Sequence, residues 1–427
     1  MNQESKESKE SKESKESKES KESKESDKTI CLNMIVKDES HIIIETLKNI
    51  LEHIKIDYWI IADTGSSDNT QQLIISFFKD KEIQGELIQH SWSDFGTNRT
   101  MALESAYNKT DYLLIFDADD CFIGNFILPD LIYDMYYLRM SNGQYYRPLL
   151  INNKKKWKFM GVLHEYLEKN EDFQPTTCHL SDKNYYVDSR RIGRRNADPQ
   201  KYIKDANILK SAYHKSVENK DHLANRYVFY CANSYKDAGL TNEALEWYKK
   251  TLTHQGWIQE RYVSCLRIYE CYEQLGRKEE GFYYLIKSYE YDKERLECMY
   301  KLITHYCCEN QHEIAFSFYS LIREPFENDY NYDSNNKLFI DLPISDFYLP
   351  YIMIIVSYHI KKREIGLFMY ETIFKKKFKA PEWYLKNLIY NMKFFNDMFT
   401  QKTLELLESY KKSYDLFDKL IKEKIEG

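Results

Sequence analysis

The chain has 427 residues, 43% of them hydrophobic, which supplies apolar material for two or three cores and excludes disorder throughout. Charged residues make up 30% and the net charge is -6, so no basic excess exists to neutralise phosphates and no nucleic-acid partner is expected. No apolar run reaches the roughly 20 residues of a membrane span, and the first residues hold no apolar signal core, so a cytoplasmic protein without a membrane span is expected. Nine thinly spread cysteines, with no Cys-x-x-Cys pair, argue against structural zinc and a disulfide framework, and for a reducing compartment.

Residues 1–28 are nearly pure Ser-Lys-Glu triplets. A period of three gives neither a helix nor a strand an apolar face, so this segment reads as a disordered, charge-balanced tail. From Thr29 to about residue 190 the pattern is α/β. Ile30 to Val36 forms a buried strand, and Ile43, Leu47, Ile50 and Leu51 follow at helical spacing. Tyr58 to Ala62 is a second strand, ending in Asp63-Thr64-Gly65-Ser66-Ser67-Asp68 before a helix at Gln71 that Ser67 or Asp68 can cap. Glu86 to His90 is a third strand, Thr97 to Ala106 a helix, and Tyr112 to Phe116 a fourth strand that stops at Asp117-Ala118-Asp119-Asp120. Strand–helix–strand units of this length predict a mainly parallel, Rossmann-like sheet, with ligands at the carboxyl ends of its strands. Three polar clusters fall at those ends: Lys37-Asp38-Glu39, Asp63 to Asp68, and Asp117 to Asp120.

From residue 195 to 427 helical patterns dominate. Gly239, Gly276 and Asn310 each end a helical segment, with Ala244, Gly281 and Ala315 five residues further on. The intervals of 37 and 34 residues approach the tetratricopeptide period, which predicts an all-α repeat region able to bind a protein or to form a homodimer. Beyond Ile322 the repeat fades, and Glu324 to Leu342 reads as a loop.

Two carboxylates one residue apart at a strand exit, Asp117 and Asp119, can hold a hard cation and the phosphate oxygens around it, which suits Mg²⁺ or Mn²⁺. Asp63 can accept from a nucleobase N–H or a ribose hydroxyl, and Gly65 lets backbone approach a ligand. Together with Asn33 to Glu39, Ala62 to Thr70, Trp92 to Gly96 with Arg99, and Phe116 to Asp120, these elements resemble family 2 glycosyltransferases of the GT-A fold. The nearest branch carries helical repeats behind the catalytic domain and includes peptide S-glycosyltransferases.

The resemblance implies a metal-dependent, inverting transfer from a nucleotide-sugar, a UDP-sugar by preference, to an acceptor such as a protein or peptide. It implies that Asp63, Gly65 and Glu39 lie at the nucleoside and that Asp117 and Arg99 face ribose and diphosphate. Asp117 and Asp119 would serve the metal, with His179 as a further ligand. It also implies that Glu165 is the base, with His164 beside it and Asp182 as the fallback. Thr64, Thr100 and Asp120 depart from the usual residues of the family without removing a charge it needs. Arg190, Arg191, Arg194 and Arg195 form a basic cluster that could cover a departing diphosphate or simply be a solvated linker. The alternatives are an inactive repeat scaffold with a relic donor domain, which predicts no metal-dependent UDP binding, and a nucleotidyltransferase. The latter wants a Gly-rich basic loop after the first strand, where Lys37-Asp38-Glu39-Ser40 stands.

Overall fold

The computed structural model describes residues 28–140, 145–328 and 337–426; the Ser-Lys-Glu triplets lie outside them. Strand β1 (Ile30–Val36) is apolar along nearly its whole length and buried on both faces. It therefore takes the interior of a parallel sheet, between β2 (Tyr58–Asp63) and β4 (Tyr112–Ile115), with β3 (Gly85–Gln89) outside β2. Helix α1 (Ile43–His53) buries Ile43, Thr46, Leu47 and Ile50, the stripe its spacing predicts. Helices α2 (Thr70–Asp80) and α3 (Phe95–Ala106) complete the crossovers. Val36 pairs with Asp63 and Asn33 with Ile115, so β1, β2 and β4 all exit at one edge.

The second half of the sheet is not strand–helix–strand. Seven strands follow almost without helices: β5 (Asp120–Gly124), β6 (Met135–Met140), β7 (Tyr145–Asn152), β8 (Trp157–Met160), β9 (Tyr166–Lys169), β10 (Thr177–Leu180) and β11 (Tyr185–Ser189). The sheet order is β3-β2-β1-β4-β7-β6-β11-β5, with β10 beside β6. β7 runs antiparallel to both β4 and β6. The antiparallel pair β5–β11 matches Asp120 with Ser189, which brings the exit of β11 beside the acidic turn after β4.

The rest is helical. The first seven helices are α4 (Lys201–Glu218), α5 (Leu223–Asp237), α6 (Thr241–Thr251), α7 (Ile258–Gln274), α8 (Lys278–Tyr291), α9 (Glu297–Cys308) and α10 (His312–Ser320). Gly239, Gly276 and Asn310 all take left-handed backbone, with φ of 75°, 70° and 59°, so the sequence repeat is one turn used three times. Ala244, Gly281 and Ala315 are buried on the second helix of each pair. A Cβ at Gly281 would stand 2.9 Å from the Tyr269 ring, which explains the small residue.

The repeat does not end at Ile322. After α11 (Arg323–Glu327), the pair α12 (Leu349–His359) and α13 (Arg363–Lys376) turns at Lys361, with φ of 60°, and Gly366 sits five residues on. A Cβ there would lie 2.3 Å from the Phe395 ring. The sequence disguises this unit because a lysine holds the left-handed position and an insertion precedes it. Part of that insertion is anchored: fully buried Arg295 donates to the Leu338 carbonyl (2.7 Å) and to Gln259 Oε1 (2.8 Å), and pairs with Glu297 (2.6 Å).

The helices also grip the sheet. Leu163, in the loop after β8, belongs to the helical core. The Val162 N–H donates to the Tyr227 hydroxyl (3.1 Å), and Arg226 Nε donates to the His164 carbonyl (2.9 Å). α5 thus fixes the loop that carries His164 and Glu165.

Candidate functional site

The exits of β1 and β2 are tied into one surface. The Asp38 N–H donates to Ser66 Oγ (2.9 Å), the Glu39 N–H to Thr70 Oγ1 (2.8 Å), and the Ser67 N–H to Asp38 Oδ1 (2.7 Å). Asp68 joins this clamp: its Oδ1 accepts the Thr70 N–H at the start of α2 (3.0 Å), and its Oδ2 accepts the Ser40 N–H (3.1 Å). Thr64, one of the departures noted above, donates its hydroxyl to the Val36 carbonyl (3.1 Å) and extends the pairing of the two strands.

Asp63 is 1% exposed. Its Oδ1 accepts from the Gly65 and Ser66 N–H groups, both at 2.9 Å, and from Gln71 Nε2 at 3.0 Å. Its Oδ2 is buried and has no partner among the described residues. Buried carboxylate oxygens rarely stay unbonded, so this atom marks where a donor from elsewhere fits. Gly65 has φ of 104°, and a Cβ there would meet nothing within 4 Å, so the glycine serves conformation beside open space.

Glu39 and Asp119 converge on Gly193. A Cβ on Gly193 would stand 3.1 Å from Glu39 Oε1 and 3.2 Å from Asp119 Oδ2. The Arg194 N–H donates to Glu39 (3.2 Å), while the Gly193 N–H and Asn196 Nδ2 make long bonds of 3.3 and 3.4 Å to Asp119. Burial, with the Asp119 charge adding, pushes the Glu39 carboxyl up to about 7. Two hard carboxylate donors from separate strand exits suit Mg²⁺ or Mn²⁺, which takes one or two protein carboxylates and completes its shell with phosphate and water. The donor set fits such an ion through Asp119 and Glu39.

Asp117 is used differently. Its Oδ1 takes Arg99 Nη2 at 2.6 Å and its Oδ2 takes Arg147 Nη2 at 3.1 Å. Arg99 Nε reaches Glu165 Oε1 at 2.7 Å, and Arg147 Nη1 reaches Asp120 Oδ2 at 3.2 Å. The Ser189 hydroxyl then donates to Asp120 Oδ1 (2.6 Å). The result is one chain, Glu165–Arg99–Asp117–Arg147–Asp120–Ser189. Burial alone would raise the Asp117 carboxyl, but Arg99 and then Arg147 outweigh it and hold it well below the usual carboxylate range. Burial, and next the Asp117 charge, push Asp120 up to about 7. Arg99, expected at the diphosphate, is 8% exposed between two carboxylates. Its position is set by α3, whose Thr100 hydroxyl accepts the Phe159 N–H (2.8 Å) and locks the helix to β8. Arg147 was missed in the sequence; the signal was a lone arginine in the otherwise apolar and aromatic strand β7.

The expected metal set of Asp117, Asp119 and His179 is not assembled. No group of three His, Cys, Asp or Glu side chains among the described residues is arranged to hold an ion. Both Asp117 oxygens face arginines, and His179 lies within β10, stacked on Tyr137 at 4.5 Å with Tyr146 edge-on at 5.2 Å. The fallback Asp182 spends its carbonyl on Arg139 (2.8 Å) and its Oδ1 on the Asn184 N–H (2.9 Å) in a turn.

Glu165 keeps Oε2 without a partner among the described residues. His164 has left-handed backbone, with φ of 53°, and stacks on Tyr230 of α5 at 4.2 Å. The residue is exposed, but protein atoms packed about the imidazole, with Arg226, Arg195 and Lys201 adding, push it below the ordinary range. The basic cluster divides. Arg190 bonds Glu45 and the Asp119 carbonyl, and Arg195 pairs with Asp205 and covers the Phe95 ring. Arg194 and Arg195 line a cleft of about 480 Å³ with Lys37, Glu39, Thr64 and Trp92. Its size falls within the range of small-molecule sites, and it opens at the exits of β1 and β2.

Residues 31–177 match the family model for Glycosyl transferase family 2. No curated protein matches the chain. Among solved structures, S. aureus TarS 1–349 in complex with UDP-GlcNAc shares 14% identity over 61% of this chain and 91% of its own, with a TM-score of 0.32. The mannosyltransferase PcManGT from Pyrobaculum calidifontis, in complex with GDP-Man and Mn²⁺, shares 13% over 58% and 87%, with a TM-score of 0.33. Both overlaps are loose, and the family match stands without them. The chain carries a family 2 glycosyltransferase domain and is a glycosyltransferase.

Proposed function

We propose that the protein is an inverting, divalent-metal-dependent glycosyltransferase whose donor is a nucleotide-sugar, a UDP-sugar by preference. The observation that carries this reading is the orphaned, buried Oδ2 of Asp63 beside open space at Gly65, an acceptor suited to a nucleobase N–H or a ribose hydroxyl. Asp119 and Glu39, flanking Gly193, would hold the metal. When bound, the ion offsets the charge that builds on the departing diphosphate. Arg194 and Arg195 on the cleft wall add positive charge near the same place.

The base is Glu165. Arg99 fixes its Oε1, which leaves Oε2 to take the acceptor proton as the acceptor oxygen or sulfur attacks the anomeric carbon and the bond to the diphosphate breaks. His164 is a neutral wall beside it. The helical pairs, tetratricopeptide-like in their turn and small-residue positions, hold the acceptor.

A panel of UDP- and GDP-sugars with Mn²⁺ or Mg²⁺, read as released nucleoside diphosphate, tests the reading. The parent should release UDP and Asp119→Ala should release about 100-fold less, the order of a removed charge-stabilising group. Equal turnover in both removes the metal role. A parent that neither binds UDP with Mn²⁺ nor cleaves any donor is the relic scaffold instead.

A further inference from the structure

The first helix of each pair carries a polar stripe at matching positions. Nine residues before the three left-handed turns stand Tyr230, Arg267 and Lys301; six before them stand Asn233, Glu270 and Thr304. Residues three or four apart share a helix face, so the stripes run side by side. Contacts between helices bear this out: Glu270 of α7, paired with Arg267 of its own helix at 2.7 Å, meets Lys236 of α5 at 3.3 Å and Lys301 of α9 at 3.4 Å. The face starts at the candidate catalytic loop, where Tyr230 stacks on His164. It continues to a cavity of about 120 Å³ lined by Arg267, Glu270, Glu297, Lys301 and Asp341.

Two groups on this face lack a partner among the described residues, Thr304 Oγ1 and the amide nitrogen of Asn233. Asn233 Oδ1 accepts the Tyr248 hydroxyl at 2.6 Å, which fixes the amide, and the buried Nδ2 has no acceptor among the described residues. A donor held this way wants a carbonyl or hydroxyl from a bound chain. Charges line the face at Lys236, Asp237, Arg267, Glu270 and Lys301, and three cations share the one carboxylate of Glu270, which leaves positive charge over. A complementary ligand offers carboxylates at short intervals. The N-terminal segment does so: each of its serines, from Ser5 to Ser26 at every third residue, follows a glutamate, and all but Ser26 precede a lysine.

We propose that this face is an acceptor channel and that its occupant is the chain's own N-terminal Ser-Lys-Glu segment, whose serine hydroxyls receive the sugar. The inference rests on the transferase reading above. A serine Oγ forms the bond to the anomeric carbon while the bond from that carbon to the diphosphate oxygen breaks. The hydroxyl proton passes to Glu165 Oε2, and the nucleoside diphosphate leaves. Chain length limits which serines serve within one molecule. β1 starts at the sheet edge opposite the strand exits and is about 20 Å long. Ser26, three residues before Thr29, spans at most about 10 Å, whereas Ser5 spans up to about 80 Å. The distal serines reach the cleft and Ser26 does not.

The full chain, dilute, is incubated with the sugar-nucleotide panel and Mn²⁺, then followed by intact mass, site mapping and released nucleoside diphosphate. Added sugars are expected on serines from Ser5 to Ser17, none on Ser26, and none on a variant with all the tail serines changed to alanine. Arg267→Glu should slow tail modification at least tenfold; Asn233→Ala, a milder change that also strands the Tyr248 hydroxyl, should slow it severalfold when assayed well below its own melting temperature. Donor cleavage with an unmodified tail overturns the inference and leaves the transferase reading standing. Equal modification in Asn233→Ala and parent overturns the channel, and absence of any donor cleavage takes both readings down.

Discussion

The carboxylates at the strand exits stand in two walls that are held in opposite ways. On the side of β4 and α3, Asp117, Asp120 and Glu165 are stitched together by Arg99 and Arg147 into a chain of ion pairs. On the side of β1 and β2, Asp63 keeps a bare buried oxygen, and Glu39 and Asp119 are held only by backbone and amide donors, several of them long. A stitched carboxylate is already neutralised and mostly positions its neighbours, whereas a bare one keeps its charge for a ligand. The acidic pair after β4 therefore splits: Asp117 braces Arg99, and Asp119 stands with Glu39 at Gly193.

The largest effect should come from cutting the stitched wall. Arg99→Ala leaves Asp117 with Arg147 alone and Glu165 with no cation, and stranding a buried charge costs about 3–5 kcal/mol. Urea unfolding should show that loss, a large share of a typical margin of about 5–15 kcal/mol. A loss below about 1 kcal/mol would mean that the pairs are exposed in solution and that the two walls do not differ.

The bare wall should answer in binding instead. Asp63→Asn keeps the shape and, with its oxygen toward the Gly65 and Ser66 N–H groups, puts an amide donor where Oδ2 stands. Calorimetry with UDP and Mn²⁺ should show a Kd raised about 10–100-fold, or about 1.4–2.8 kcal/mol, with the unfolding midpoint held. Unchanged affinity would place the nucleoside elsewhere.

Sequence reasoning read these walls unequally, for physical reasons. The bare wall follows parallel strands that are apolar from end to end and stop at polar turns, so β1 was legible to the residue and β2, β3 and β4 to within one. The stitched wall draws on β7 and β11, which lie in the antiparallel half. β7 and β11 are partly exposed and follow no clean alternation, so periodicity is weak, and the partner of Asp120 lies 27 residues away at Arg147. Gly193, the point on which Glu39 and Asp119 converge, sits in a basic stretch that looked like a linker. The helical half was legible where glycine marked the turn and lost where Lys361 took the same backbone.

A carboxylate away from both walls sharpens the contrast by its pH response. Glu260 of α7 is 3% exposed, and its one cation, Arg226, stands 3.7 Å off while donating to the His164 carbonyl. Burial pushes its carboxyl up to about 7, against a weaker opposing pull from Arg226. The raised value means that the folded protein binds the Glu260 proton more tightly than the unfolded chain does. The stability this proton lends is complete below about pH 4.5 and is lost as pH rises through about 7. Between pH 5 and pH 8 the loss should be about 1–2 kcal/mol, read as a fall of several degrees in Tm. Glu260→Gln should remove that part of the slope and leave the variant the more stable protein at pH 8. If the slope persists unchanged in the variant, Arg226 neutralises Glu260 as fully as Arg99 neutralises Asp117, and the anchor under the His164 loop belongs with the stitched wall.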